Sequence, residues 1–167
     1  MPSKALRRRI LNFIQRIPRV FALIFYVYRF FQPKYTVGVI GIIVNEKGEV
    51  LLVEHVFHPE RPWGMPGGWI GRNEDPAAAV KREIREELSM DVSIKQLLHT
   101  AKTQRNHLDV AYLCEPQGEV GTLSYELLNY RWTKFEDLPT LYKFHTEALE
   151  EAKRIFSKQS THQDVSS

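Results

Sequence analysis

Apolar residues follow a two-residue or continuous pattern over TVGVIGIIV (36–44) and EVLLVEHV (49–56), which predicts two β-strands. The four residues between them, Asn45-Glu46-Lys47-Gly48, are turn formers, so the pair is expected to form a hairpin. Residues 92–103, 107–115 and 124–133 predict three further strands. Two stretches carry the helical period instead. Asp75-Pro76 supplies an N-cap and a first helical residue, and the helix so opened runs to about Leu88. Lys143–Phe156 places Leu149, Ala152 and Ile155 on one side of a terminal helix, and the polar residues after it are expected to fray. Residues 57–75 are rich in Gly and Pro and predict a loop. Strands, helix, strands, helix is the order of a mixed-sheet α/β domain.

The first 34 residues have a different pattern. Leu6, Ile10, Phe13, Ile14 and Ile17 recur at helical spacing, and Pro18 is expected to end or kink that helix. The uncharged run 20–28 that follows is nine residues long, about 14 Å as helix against the ~30 Å of a hydrocarbon core, so it does not span a bilayer by itself. No small-residue cleavage site follows it, which argues against a secretory signal.

Charge sharpens this division. The 167-residue chain carries a net +3, yet residues 1–34 hold eight Lys and Arg and no acid, while the remainder holds fifteen bases against twenty acids. A basic arm thus precedes an acidic body, which is a poor surface for nucleic acid and suits a site that collects cations. The expected organisation is an N-terminal extension over 1–34, a catalytic unit over 35–157 and a polar tail over 158–167. Two readings of the arm stand: a peripheral membrane contact through residues 1–31, or a helix that packs on protein, including a second subunit of a homodimer. The chain is expected to be cytoplasmic, and membrane-peripheral on the first reading. A single cysteine, Cys114, excludes an intrachain disulfide and a cysteine-rich zinc site.

The segment from Gly68 to Met90, GWIGRNEDPAAAVKREIREELSM, concentrates the chemistry. Glu83, Glu86 and Glu87 stand at i, i+3 and i+4 and therefore share one helix face. Three carboxylates so close repel one another and raise each other's pKa, a cost that a hard divalent cation such as Mg²⁺, or Mn²⁺ in its place, removes. Gly64-Met65-Pro66-Gly67-Gly68 leads toward that helix, and its glycines let backbone groups reach a metal or a phosphate.

The spacing G-x5-E-x7-R-E-(apolar)-x-E-E-x-G-(apolar) resembles the signature of the Nudix hydrolase family, met here by Gly68, Glu74, Arg82, Glu83, Ile84, Glu86, Glu87 and Met90. Ser89 stands where that signature has its last glycine, a position suited to a left-handed residue at a helix end, at about 1 kcal/mol if serine keeps that conformation. The resemblance covers about residues 36–156. It implies an α/β fold, an α/β/α sandwich around a mixed β-sheet. It also implies Mg²⁺-dependent hydrolysis of a diphosphate linkage in a nucleoside diphosphate derivative, by water attacking phosphorus. By the same resemblance Glu83, Glu86, Glu87 and the Gly67 carbonyl are metal ligands, and Gly68, Glu74 and Arg82 brace the unit. The catalytic base is Glu86 or a downstream carboxylate, for which Glu126 stands in the expected region. A regulatory module that binds nucleotide without turnover is the alternative, and so is a membrane-associated hydrolase acting near diphosphate lipids. Arg61, Trp63 and Arg105 are candidate substrate contacts, with Phe57, Trp69, Tyr112 and Lys102 behind them. Nothing in the sequence selects one substrate. The six histidines show no metal-ligand spacing and are assigned no role.

Overall fold

The computed structural model describes Lys4, Leu6, Arg8 and residues 18–164, with Pro18 and 158–164 described by their backbone alone. The predicted stripe at Ile10, Phe13, Ile14 and Ile17 lies outside the described residues. The chain divides into two compact units, Met1–Lys34 and Tyr35–Ser167.

In the first unit, helix α1 spans Pro18–Phe31. Pro18 opens this helix, where its missing N–H costs nothing.

The second unit contains β1 (Thr36–Ile43), β2 (Glu49–His55), β3 (Trp63–Gly64), β4 (Gly67–Trp69), helix α2 (Pro76–Leu88), β5 (Val92–Gln104), β6 (His107–Pro116), β7 (Leu127–Lys134) and helix α3 (Lys143–Asp164). One sheet has the order β4-β1-β6-β5 and a second has the order β3-β2-β7. The first is mixed, because β1 runs parallel to β6 and antiparallel to β4.

The hairpin expectation needs correction. The turn forms, with Asn45 N–H donating to the Glu49 carbonyl at 3.0 Å. Beyond one bridge between Val44 and Val50, however, β1 and β2 part into different sheets. The cause is their composition. Both strands are apolar on both faces, so each takes an interior place with partners on either side: β4 and β6 for β1, β3 and β7 for β2. The Gly/Pro stretch, expected to be all loop, supplies the short strands β3 and β4. The terminal helix continues past Phe156 to Asp164.

Alternation along β1 and β2 builds two cores. Val39, Ile43, Leu51 and Val53 join Ala79, Val80, Ile84 and Leu88 of α2. Ile40, Ile42, Val44, Val50 and Leu52 join Phe144, Ala148, Leu149 and Ala152 of α3. A helix therefore covers each face of the strands, and the arrangement is an α/β/α sandwich. Gly41 is part of this packing: a Cβ there would press on the Ile84 side chain of α2 at 2.7 Å.

Candidate active site

Two glycines let the strand before α2 come close to its neighbours. β4 pairs with β1 through Gly67 opposite Ile40 and Gly68 opposite Val39. A Cβ on Gly67 would run into the Val39 carbonyl, and one on Gly68 would overlap the Glu83 carboxylate. At Gly67 only hydrogen permits the sheet register, and at Gly68 the missing side chain leaves the place that the Glu83 carboxylate takes.

Helix α2 begins as its sequence dictates. Asp75 caps it with Oδ1, accepting from Ala77 N–H at 2.9 Å and Ala78 N–H at 3.2 Å. Burial of Ala79, Val80, Ile84 and Leu88 then fixes the helix's rotation, which carries Glu87 inward. Glu87 is only 6% exposed, and its Oε2 accepts the Gly67 N–H at 2.9 Å. Burial pushes its carboxyl up to about 8 against the pull of the Gly67 bond, and the Glu83, Glu126 and Glu86 charges add to the rise.

Arg82 holds the surrounding acids. Its Nε and Nη2 donate to the two Glu74 oxygens at 2.8 and 3.0 Å, and its Nη1 donates to Glu83 at 2.9 Å and Glu86 at 3.1 Å. Nη2 also reaches the Trp69 carbonyl at 3.1 Å, so the guanidinium ties β4, the loop and the helix together. Glu74 in turn accepts the Gly71 N–H at 2.7 Å, and the Arg82 bond holds its carboxyl down at about 2.

Glu126 reaches this cluster from the other sheet. The Val56 N–H donates to the Glu126 carbonyl at 2.9 Å, and the Ser124 N–H donates to the Glu87 carbonyl at 2.9 Å. These bonds moor the segment before β7 to the end of β2 and to the end of α2. Glu83, Glu87 and Glu126 then line one cavity of about 370 Å³, with Gly67, Gly68, Trp69, His55, Phe57 and His58. Glu86 does not line it; its side chain is 59% exposed and faces Arg82.

Among the described residues, no three His, Cys, Asp or Glu groups are gathered tightly enough to close a coordination sphere unaided. The carboxylates of Glu83, Glu87 and Glu126 nonetheless offer oxygen donors beside His55 and His58, and burial of Glu87 among acids makes its ionised form costly without a cation. Both features fit a hard cation that keeps several waters and takes further oxygens from a phosphate.

Trp69, Gly67, Gly68, His55 and His58 also line a second cavity of about 960 Å³. Arg61, Trp63 and Lys102 line that larger space, whereas Arg105, in the β5–β6 turn, and Tyr112 line neither. Arg61 lies over the Tyr142 ring at 5.3 Å and Arg131 over Trp63 at 4.1 Å, so cations hold both aromatics in place.

Sequence reasoning gave the histidines no role and did not foresee that they gather. Five of the six, His55, His58, His99, His107 and His145, line the larger cavity. They arrive from β2, the loop after it, β5, β6 and α3, so no local spacing announces them. His145 is pushed down to about 4 by burial and stays neutral near pH 7, and its Nδ1 has no partner among the described residues. His107 is braced: Thr36 Oγ1 lies 2.7 Å from its Nδ1 and Asp109 Oδ1 lies 3.0 Å from its Nε2. Cys114 is buried in β6, with its thiol pushed up to about 12 by burial, and is chemically quiet.

Comparison with known proteins agrees with this fold. The chain is 31% identical over 101 residues to a MutT-like protein of Streptomyces ambofaciens, covering 60% of this chain and 64% of that one. It is 26% identical over 112 residues to the human 8-oxo-dGDP phosphatase NUDT18, covering 64% and 35%. Across the curated relatives it matches, the chain spans between about a third and two thirds of their length. Among solved structures, a MutT NUDIX hydrolase from Burkholderia pseudomallei superposes with a TM-score of 0.63 at 29% identity, over 71% of this chain and 98% of that one. The NUDIX domain model matches residues 34–154, which take in the glycine loop, the carboxylate helix and both sheets, and the chain belongs to the Nudix family.

Proposed function

We propose that the chain is a Mg²⁺-dependent hydrolase that cleaves a diphosphate linkage in a nucleoside diphosphate derivative. The observation that carries this reading is the position of Glu87. A buried carboxylate, set beside Glu83 and Glu126 and held by the Gly67 N–H, lines a small cavity that shares a wall with a large one. Acids alone at that place are costly, and a cation with its phosphate ligand removes the cost.

Glu83, Glu87 and the Gly67 carbonyl would hold the ion, with Glu86 at its outer side. A divalent cation bound there would neutralise phosphate oxygens and make a bound water more acidic. Arg82 holds the carboxylate of Glu83 through one oxygen, Oε1. Glu126 approaches from the opposite sheet and is the better-placed proton acceptor, since Glu86 is engaged by Arg82 outside the cavity. The larger cavity would take the rest of the substrate, with Trp63 and Trp69 as flat surfaces and Arg61, Lys102 and the histidines as polar contacts. We place the reaction in the cytoplasm, where nucleotide derivatives and Mg²⁺ are both at hand.

The test is hydrolysis of a panel of nucleoside triphosphates, nucleotide sugars and dinucleotide diphosphates with MgCl₂. Turnover of at least one, lost by a hundredfold or more in Glu87→Gln with an unchanged circular dichroism spectrum, is expected. Equal turnover in Glu87→Gln would falsify the metal-site assignment. Nucleotide binding without turnover across the panel would instead identify a regulatory binding module.

A further inference from the structure

Helix α1 differs from the helices of the second unit in what it exposes. Every described large apolar side chain on it is open to solvent, from Phe21 at 39% to Phe31 at 77%. At 100° per residue, Arg19, Ala22, Tyr26 and Arg29 fall within an arc of about 80°, and the other side chains after Pro18 are all apolar or aromatic. The helix thus has a narrow basic stripe and a broad apolar face built of Val20, Leu23, Ile24, Val27, Phe30 and Phe31, among others. Its 14 residues measure about 21 Å, well short of the ~30 Å hydrocarbon core, and among the described residues no helix is long and apolar enough to cross a membrane.

We propose that α1 lies in the plane of an anionic lipid surface, with Ile24 and Phe31 at the middle of the embedded face and Arg19 and Arg29 at the headgroups. Charge selects this occupant. Residues 1–34 carry eight bases and no acid, so a second copy of the same segment would bring like charge against like charge. Anionic headgroups meet the same eight bases with attraction, at about 1 kcal/mol per residue near the surface. An apolar face broader than half the helix circumference, flanked by arginines and bearing interfacial tyrosines, is the pattern of a helix that rests in the headgroup region.

The experiment is flotation of the full chain with vesicles of phosphatidylcholine alone or with 30% phosphatidylglycerol, at ~0.1 M NaCl. The full chain should float with the anionic vesicles and remain largely unbound with the neutral ones. Ile24→Glu with Phe31→Glu should abolish flotation. Arg19→Gln with Arg29→Gln should weaken partitioning about thirtyfold. All variants should keep the circular dichroism spectrum of the parent. Absence of flotation of the parent chain overturns the proposal, as does equal flotation of the Ile24→Glu, Phe31→Glu variant. A dimer in light scattering that this double variant dissociates, with no flotation, would assign the face to self-association. None of these readings depends on hydrolysis, so the proposal stands or falls apart from the proposed activity.

Discussion

The Gly67 backbone N–H donates to Glu87 Oε2 at 2.9 Å, joining β4 to the buried end of the carboxylate face of α2. One hydrogen bond does not offset the burial of that carboxylate, whose pKa stands at about 8 rather than 4.5. A raised carboxyl pKa means that the folded chain holds the proton more tightly than the unfolded one. Its contribution to stability is complete below about pH 4.5 and is lost as pH rises toward 8, at about 1.4 kcal/mol per unit. Added Mg²⁺ competes with that proton, so the rise in Tm produced by MgCl₂ should grow between pH 5.5 and 8. Thermal melts with and without MgCl₂ check this. Glu87→Gln should flatten the dependence and leave the metal-free protein more stable than the parent at pH 8. An equal MgCl₂ effect at both pH values in the parent chain would contradict the role given to Glu87.

Gly68 gives a second handle on the same cluster. A side chain there would overlap the Glu83 carboxylate, the far end of a flexible residue, so the fold has room to adjust by turning Glu83 away. Gly68→Ala should therefore keep its melting temperature within a few degrees and raise the Mg²⁺ concentration for half-maximal turnover about tenfold. A variant with unchanged metal dependence would mean that Glu83 does not need its observed position.

The helix cap and the carboxylate spacing were legible before the structure, and the reason is local. Asp75, Pro76 and the three carboxylates at i, i+3 and i+4 lie on one helix, where spacing alone fixes which residues are neighbours. Ser89 keeps the left-handed conformation that glycine would suit there, with φ 48° and ψ 36°. What was not legible depends on the meeting of distant strands. The turn at Asn45–Gly48 signalled a hairpin, yet apolar faces on both sides of β1 and β2 drew them into separate sheets. The histidines of the larger cavity lie on five different segments, so only the sheet order brings them together. Arg105 lay outside both cavities for the same reason: its place is set by the β5–β6 turn rather than by its charge.

Arg82 serves two carboxylates of the face and the Glu74 brace with one planar fork. Lysine keeps the charge but offers a point donor on a flexible stem and cannot span these acceptors at once. Arg82→Lys should therefore raise the Mg²⁺ requirement by tenfold or more while kcat at saturating Mg²⁺ falls less. Metal titrations of initial rate would show the split. An equal loss at every Mg²⁺ concentration would point to a part in chemistry rather than in positioning.

The wall shared by the two cavities predicts a different kinetic signature. His58 lines both, beside His55 at a ring distance of 5.5 Å and Tyr142 at 6.1 Å, and Arg61 lines only the larger. Arg61→Ala should raise KM by tenfold or more with kcat within about threefold, because on the proposed reading it would meet only the distal part of the substrate. Steady-state rates on whichever nucleotide derivative is turned over give both constants. A fall in kcat with KM unchanged would place Arg61 at the reacting phosphate instead.

Ser89 closes α2 in a left-handed conformation that costs a side chain with a Cβ about 1 kcal/mol. Its hydroxyl offsets part of that cost by donating to the Thr122 carbonyl at 2.8 Å, on the segment that leads to Glu126. The two effects separate by substitution. Ser89→Ala keeps the backbone cost and loses the bond, and should lower stability by about 1 kcal/mol. Ser89→Gly loses the same bond but relieves the backbone, and should stay within about 0.5 kcal/mol of the parent. Urea unfolding midpoints measure both. Since the Ser124 N–H bond to the Glu87 carbonyl persists in each, Glu126 keeps its mooring, and turnover by Ser89→Gly should remain within twofold of the parent. A large loss of turnover in Ser89→Gly with normal stability would show that the hydroxyl bond to Thr122, rather than the backbone bond at Glu87, holds the Glu126 segment in place.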